Sequence, residues 1–143
     1  MDNCQMPQSN LDNDQIKELL EKSKTIAVIG MSDKPERDSY RVAQYLIEKG
    51  YKVIPVNPMK ETILGLKCYP DVKSVPEKID IVDVFRKIDA VPEVVEEALE
   101  VNPGAIWLQL GLAHDESAQK ACDKDITFVQ SKCIKIEHKK LFK

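Results

Sequence analysis

The chain has little of what marks the special protein classes. No run of about 18 apolar residues occurs in its 143 positions, so no membrane-spanning helix is expected. Positions 1–10 are polar and carry no apolar h-region, so no secretory signal is expected there. Basic charge is not in excess: 21 Lys and Arg against 24 Asp and Glu leave a formal net charge of −3. That argues against a nucleic-acid binder, which needs a basic face. The four cysteines, Cys4, Cys68, Cys122 and Cys133, are widely spaced with no C-x-x-C pair. Neither a zinc site nor a disulfide framework is supported, and free thiols in a cytoplasmic protein are the default expectation. Only two histidines occur, His114 and His138, and no Ser-His-Asp or paired-carboxylate set stands out.

What is present is an ordinary globular composition, 43% hydrophobic and 31% charged, in a length that suits one domain. Apolar β-branched runs alternate with amphipathic stretches along the whole chain. Strands are expected at 25–30, 52–56, 79–85, 105–110 and 126–129, and helices at 38–49, 91–101 and 115–124. A short capped helix, with Ile16, Leu19 and Leu20 on one face, precedes the first strand. After residue 132 only an alternating piece, Cys133-Ile134-Lys135-Ile136, and a polar end remain. Pro55 is awkward inside the second strand and suggests a distorted end or an edge-facing position. Asp80 and Asp83 interrupt the third strand, so one is expected at a strand end or among polar neighbours.

This alternation requires parallel β-α-β units. The expected fold is α/β: a doubly wound, five-stranded parallel sheet with helices on both faces, in the order 3-2-1-4-5. Residues 1–22 form a tail and short helix, and residues 23–143 the domain proper. That order puts the switch point between strands one and four, and ligands in such sheets bind outside the strands' carboxyl ends at that point.

The chain is organised around the segment 24–35. Ile26 to Ile29 reads as a buried strand that breaks at Gly30, and a helical pattern begins near Asp38. Gly30 either permits a tight turn or opens a phosphate site at a helix N-terminus. A dinucleotide fingerprint needs G-x-G-x-x-G, and here one glycine stands where three are wanted. The end of the second strand carries Asn57-Pro58 in place of an acid for a ribose hydroxyl. Ser32, Lys34 and Arg37 in the first loop, with Lys60 beyond the second strand, instead suit a ligand with several separate phosphates.

Six blocks then occur in order: G-M-S-D-K-P-E-R-D-S-Y-R-V-A, G-Y-K-V-I-P-V-N-P, I-L-G-L-K-C-Y-P, D-I-V-D-V-F-R-K, A-I-W-L-Q-L-G and C-I-K-I-E-H. Over roughly residues 23–141 the chain resembles the small single-domain CoA-binding proteins, which are similar to the CoA-binding domain of the succinyl-CoA synthetase alpha subunit. The resemblance implies a Rossmann-like fold that binds coenzyme A at the carboxyl edge. Gly30, Ser32, Arg37 and Tyr40 would hold phosphates. Val56, Asn57, Pro58 and Lys60 would line the adenosine end. Phe85 and Arg86 would flank the pyrophosphate or the start of the pantetheine arm, with Gln109 and Gly111 further along. Two positions depart from the family pattern. Met31 replaces a frequent alanine and is expected to point away from the ligand, and Lys87-Ile88 replaces a proline-containing pair.

The implied function is binding of coenzyme A or an acyl-CoA without catalysis of its own. The synthetases of this lineage use a phosphorylated histidine from a separate domain, and this chain has only His114, expected to cap a helix, and His138, expected to order the terminal segment. A mixed disulfide between the CoA thiol and Cys68 or Cys133 is a minor alternative. Two other functions stay open: an enzyme acting on an acyl-CoA or other nucleotide ester, and a nucleotide-linked redox regulator. The regulator lacks a DNA-binding element before the first strand.

Overall fold

The computed structural model describes residues 11–142. In chain order the elements are α1 (Asn13–Lys22), β1 (Thr25–Ile29), α2 (Asp38–Glu48), β2 (Lys52–Val56), β3 (Thr62–Ile63), β4 (Leu66–Lys67), β5 (Ile81–Val84), α3 (Val91–Glu100), β6 (Ala105–Leu108), α4 (Asp115–Asp123), β7 (Thr127–Val129) and α5 (Ile134–Leu141). The last of these corrects the expected non-helical tail. Alternation suggested an extended piece, but Ile134, Glu137 and His138 turn inward at helical spacing while Ile136 is exposed.

Five parallel strands form the middle layer in the order β2-β1-β5-β6-β7, an α/β Rossmann-like fold with helices on both faces. The α/β class, the five parallel strands and their approximate positions are as expected. The expected order 3-2-1-4-5 is not. The third major strand, β5, lies on the other side of β1, giving 2-1-3-4-5. Pro55 gives one physical reason. Its carbonyl accepts from the Tyr69 N–H at 3.0 Å, on the side of β2 away from β1, so the missing proline N–H falls on the edge. Asp80 gives another. Its carboxylate accepts from the N–H groups of Lys24 (2.8 Å) and Thr25 (3.0 Å), which ties the start of β5 to the start of β1. The switch point accordingly lies between β1 and β5 rather than between strands one and four.

Strand residues alternate strictly between two cores. Ala27, Ile29, Ile54, Val56, Val82, Val84, Ile106 and Leu108 face α3 and α4. Ile26, Val28, Val53, Ile81, Ala105 and Trp107 face α1, α2 and α5. All four residues of β5 and of β6 are buried, as central strands covered on both faces must be. The hairpin β3–β4 turns through Leu64 and Gly65, both with positive φ, the geometry of a two-residue turn that matches strand twist.

Among the described residues, Cys68 and Cys133 are free thiols. No described helix is long and apolar enough to cross a membrane.

Candidate functional site

A cleft of about 880 Å³ opens at the carboxyl ends of the strands. Its walls come from the loops after β1, β2, β5 and β6. Gly30 makes the first turn. Its φ is +81°, and any Cβ there would overlap the Phe85 carbonyl oxygen and crowd the Arg86 side chain. Only glycine lets β1 and β5 come this close at the switch point. The loop that follows is held by its own bonds. The Ser32 N–H donates to Ser39 Oγ at 2.9 Å, and Ser32 Oγ accepts from the Lys34 N–H at 3.0 Å. Arg37 is the N-cap of α2 and supplies no capping side-chain bond, so the first N–H groups of α2 face the cleft without a side-chain partner.

Of the thirteen residues singled out from sequence, ten line this cleft: Gly30, Ser32, Lys34, Arg37, Asn57, Pro58, Lys60, Phe85, Arg86 and Gln109. Three do not. Tyr40 packs against the core under α2. Val56 is buried and lines a smaller cavity of about 320 Å³ that shares Gly30, Pro58 and Arg86 with the cleft. Gly111 sits in the loop after β6, where its N–H donates to Ser131 Oγ. Several other wall residues were not singled out, among them Asp33, Ser39, Met59, Lys87, Leu110 and Leu112. Asp33 lies inside the flagged loop, so its proximity to Lys34 was the available signal.

Some wall side chains are already committed within the protein. Asn57 Nδ2 donates to the Met31 carbonyl at 2.9 Å, and its Oδ1 accepts from the Met59 N–H at 2.8 Å, so the amide rivets the β1 and β2 loops together. Gln109 is buried, and its Oε1 accepts from the Ile134 N–H at 3.2 Å, anchoring the start of α5. Met31 is fully buried in the α1–α2–α5 core, as its replacement of a small residue required.

Five cations line the cleft: Lys34, Arg37, Lys60, Arg86 and Lys87. Lys60 pairs with Asp33 at 3.0 Å. Lys60 holds the Asp33 carboxyl below its ordinary range, first through the hydrogen bond and then through its charge. Among the described residues no carboxylate pairs with the other four cations. Unpaired cations beside uncapped N–H groups make a cleft suited to an anion carrying several charges.

Residues 24–139 match the family model for a CoA binding domain. The chain belongs to the CoA-binding domain family. Uncharacterized protein YneT of Bacillus subtilis strain 168 is 42% identical over 124 residues, covering 87% of this chain and 92% of that protein. A hypothetical protein from Pyrococcus horikoshii OT3, of solved structure, is 39% identical with a TM-score of 0.91, and the match covers 100% of both chains. The ADP-forming acetate–CoA ligase II of Archaeoglobus fulgidus is 32% identical over 95 residues, which is 64% of this chain and 14% of the ligase. This CoA-binding domain is therefore similar to one segment of a much longer enzyme.

The two histidines and Cys68 are engaged within the fold. His114 is the N-cap of α4, its Nδ1 accepting from the Ser117 N–H at 3.2 Å. His138 is buried on α5, with Tyr45 Oη 2.8 Å from its Nδ1 and the Phe142 ring stacked on it. Burial, then the nearby Lys49 charge, pushes the His138 pKa down. Cys68 is buried with its thiol pKa raised by desolvation. Among the described residues no group of His, Cys, Asp and Glu is arranged to hold a metal.

Proposed function

We propose that this chain binds coenzyme A or an acyl-CoA at the carboxyl edge of its sheet, through the phosphates and the adenosine, and has no catalytic step of its own. The observation that carries this reading is the cleft with four cations unpaired among the described residues, beside the uncapped start of α2. Gly30, Ser32, Lys34 and Arg37 would meet phosphates, with Arg86 opposite and Phe85 beside it. Pro58 and Lys60 would meet the adenosine end, while Asn57 and Gln109 shape the walls they already brace. Residues 23–143 form the binding domain in this reading.

A binder rather than an enzyme is supported by the employment of both histidines. His114 caps a helix, and His138 is packed among Tyr45, Tyr51 and Phe142 between helices α2 and α5. A small-molecule ligand is the partner class assigned, with neither nucleic acid nor membrane. A cytoplasmic location goes with it, favoured by free thiols at Cys68 and Cys133.

The test is thermal denaturation with coenzyme A, acetyl-CoA and NAD. At one hundred times its dissociation constant a ligand adds roughly 2.7 kcal/mol, or roughly 5–10 °C in Tm for a domain of this size. Such a shift with coenzyme A or acetyl-CoA, and none with NAD, is expected. A shift with NAD alone overturns the reading.

A further inference from the structure

The ion pair between Asp33 and Lys60 crosses the mouth of the cleft. Asp33 comes from the loop after β1 and Lys60 from the loop after β2, and both side chains line the cavity. Each is about 40% exposed, so either can be reached from solvent. Lys60 is thus the one cleft cation with an internal carboxylate partner among the described residues. Its place matters. The loop after the second strand is where a nucleotide's ribose lies in sheets of this kind, and a cation there accommodates a phosphate on that ribose. Coenzyme A carries such a phosphate at the ribose 3′ position, and its dephosphorylated form does not.

We propose that Asp33 is an internal competitor for Lys60, standing where the ribose phosphate of the ligand would otherwise stand, and that it sets how strongly the site prefers a ribose-phosphorylated ligand. The inference rests on the coenzyme A reading above and deepens it. A ligand without the phosphate leaves the Asp33–Lys60 pair intact. A ligand with it must take Lys60 from Asp33 and leave the Asp33 carboxylate to water.

The surrounding bonds make this exchange local. The two loops stay joined through Asn57, whose amide bonds to both Met31 and Met59. The Asp33 backbone is flanked by the Ser32 bonds to Ser39 and Lys34. Breaking the ion pair therefore frees two exposed side chains and moves no element of the fold. Displacement of an exposed pair is a modest cost, so the carboxylate tunes affinity rather than closing the site.

The experiment is calorimetric titration of coenzyme A and 3′-dephospho-coenzyme A into the wild type, Asp33→Asn, Lys60→Ala and the double variant, at one fixed salt concentration. Removing a negative charge should tighten both ligands. The expected signature is an extra tightening of coenzyme A over its dephosphorylated form in Asp33→Asn, by about two- to five-fold. That extra factor should vanish in the Lys60→Ala background. The inference is overturned if Asp33→Asn leaves the ratio of the two affinities unchanged or lowers it. It is also overturned if the extra factor survives without Lys60, since direct repulsion would then explain it. Asp33→Ser serves as a second probe should the asparagine variant fold poorly. If the wild type binds neither compound, the coenzyme A reading itself fails, a result distinct from either of these.

Discussion

The two faces of the sheet are built from different material. The face covered by α3 and α4 is aliphatic: Val91, Val94, Val95, Ala98 and Leu99 of α3 meet Val82, Val84, Ile106 and Leu108. The face covered by α1, α2 and α5 buries Asp83, Glu137 and His138 together with Trp107. Asp83 is the extreme case. It lies in register between Val28 and Trp107, is fully buried, and neither carboxyl oxygen has a hydrogen-bond partner. Burial holds its pKa well above the usual carboxylate range. One face therefore buries mainly aliphatic side chains, while the other carries ionisable groups that reduce its net contribution. The cleft lies at the seam, where the covering helix changes from α2 on one face to α3 on the other.

The seam should be the most sensitive place. Gly30→Ala demands a side chain where φ is +81° and the Phe85 carbonyl occupies the space. A loss of about 3 kcal/mol or more in urea denaturation is expected, with impaired ligand binding. A cost under about 1 kcal/mol would mean the strands can part there without penalty.

Truncation and replacement then separate the faces. Ile106→Ala on the aliphatic face should cost about 2–5 kcal/mol, since it opens a cavity in a fully packed core. Asp83→Val on the other face should do the opposite and stabilise by about 1–3 kcal/mol, because a similar volume replaces an unpartnered polar group. Denaturant midpoints of the two variants moving in the same direction would break the comparison.

The faces should also differ in their response to pH. The folded pKa of Asp83 is raised, so its contribution is fully present below the unfolded carboxylate value and is lost as pH rises through the folded value. Asp83→Asn should flatten that decline in a pH series of melting temperatures. The folded pKa of His138 is lowered, so its contribution is present above about pH 6.5 and is lost as pH falls through the folded value. Protection factors of α5 amides should fall on acidification while those of α3, with no buried titratable group among the described residues on its face, hold. His138→Gln should remove this smallest effect.

Particular residues show how far the sequence could be read. Pro55 carried the information that β2 is an edge strand, yet the expected order buried that strand between two others. Strand order is set by pairing between distant segments, and here the tie is Asp80 bonding to Lys24 and Thr25, a contact across more than fifty residues. The tail was misread for a local reason. Ile134 and Ile136 alternate over four residues, too short a window to separate a strand from the first turn of a helix. In the candidate site, the residue types of the first loop were legible, but their commitments were not. Asn57 lines the cleft as expected and also rivets two loops together, and Tyr40 is partly buried against the core, engagements no local pattern records.

The sequence by itself determined the alternation of strand and helix, the glycine at the first turn, and the cations gathered after the strands, since each depends on residues within one turn or one strand of each other. Tertiary structure alone decided which strands are neighbours, that the Asp83 carboxyl is sealed without a partner, and that Asp33 faces Lys60. Those facts depend on which distant segments share a face or a rim, and pairing across the sheet is selected by the summed burial of the whole layer, which no local pattern records.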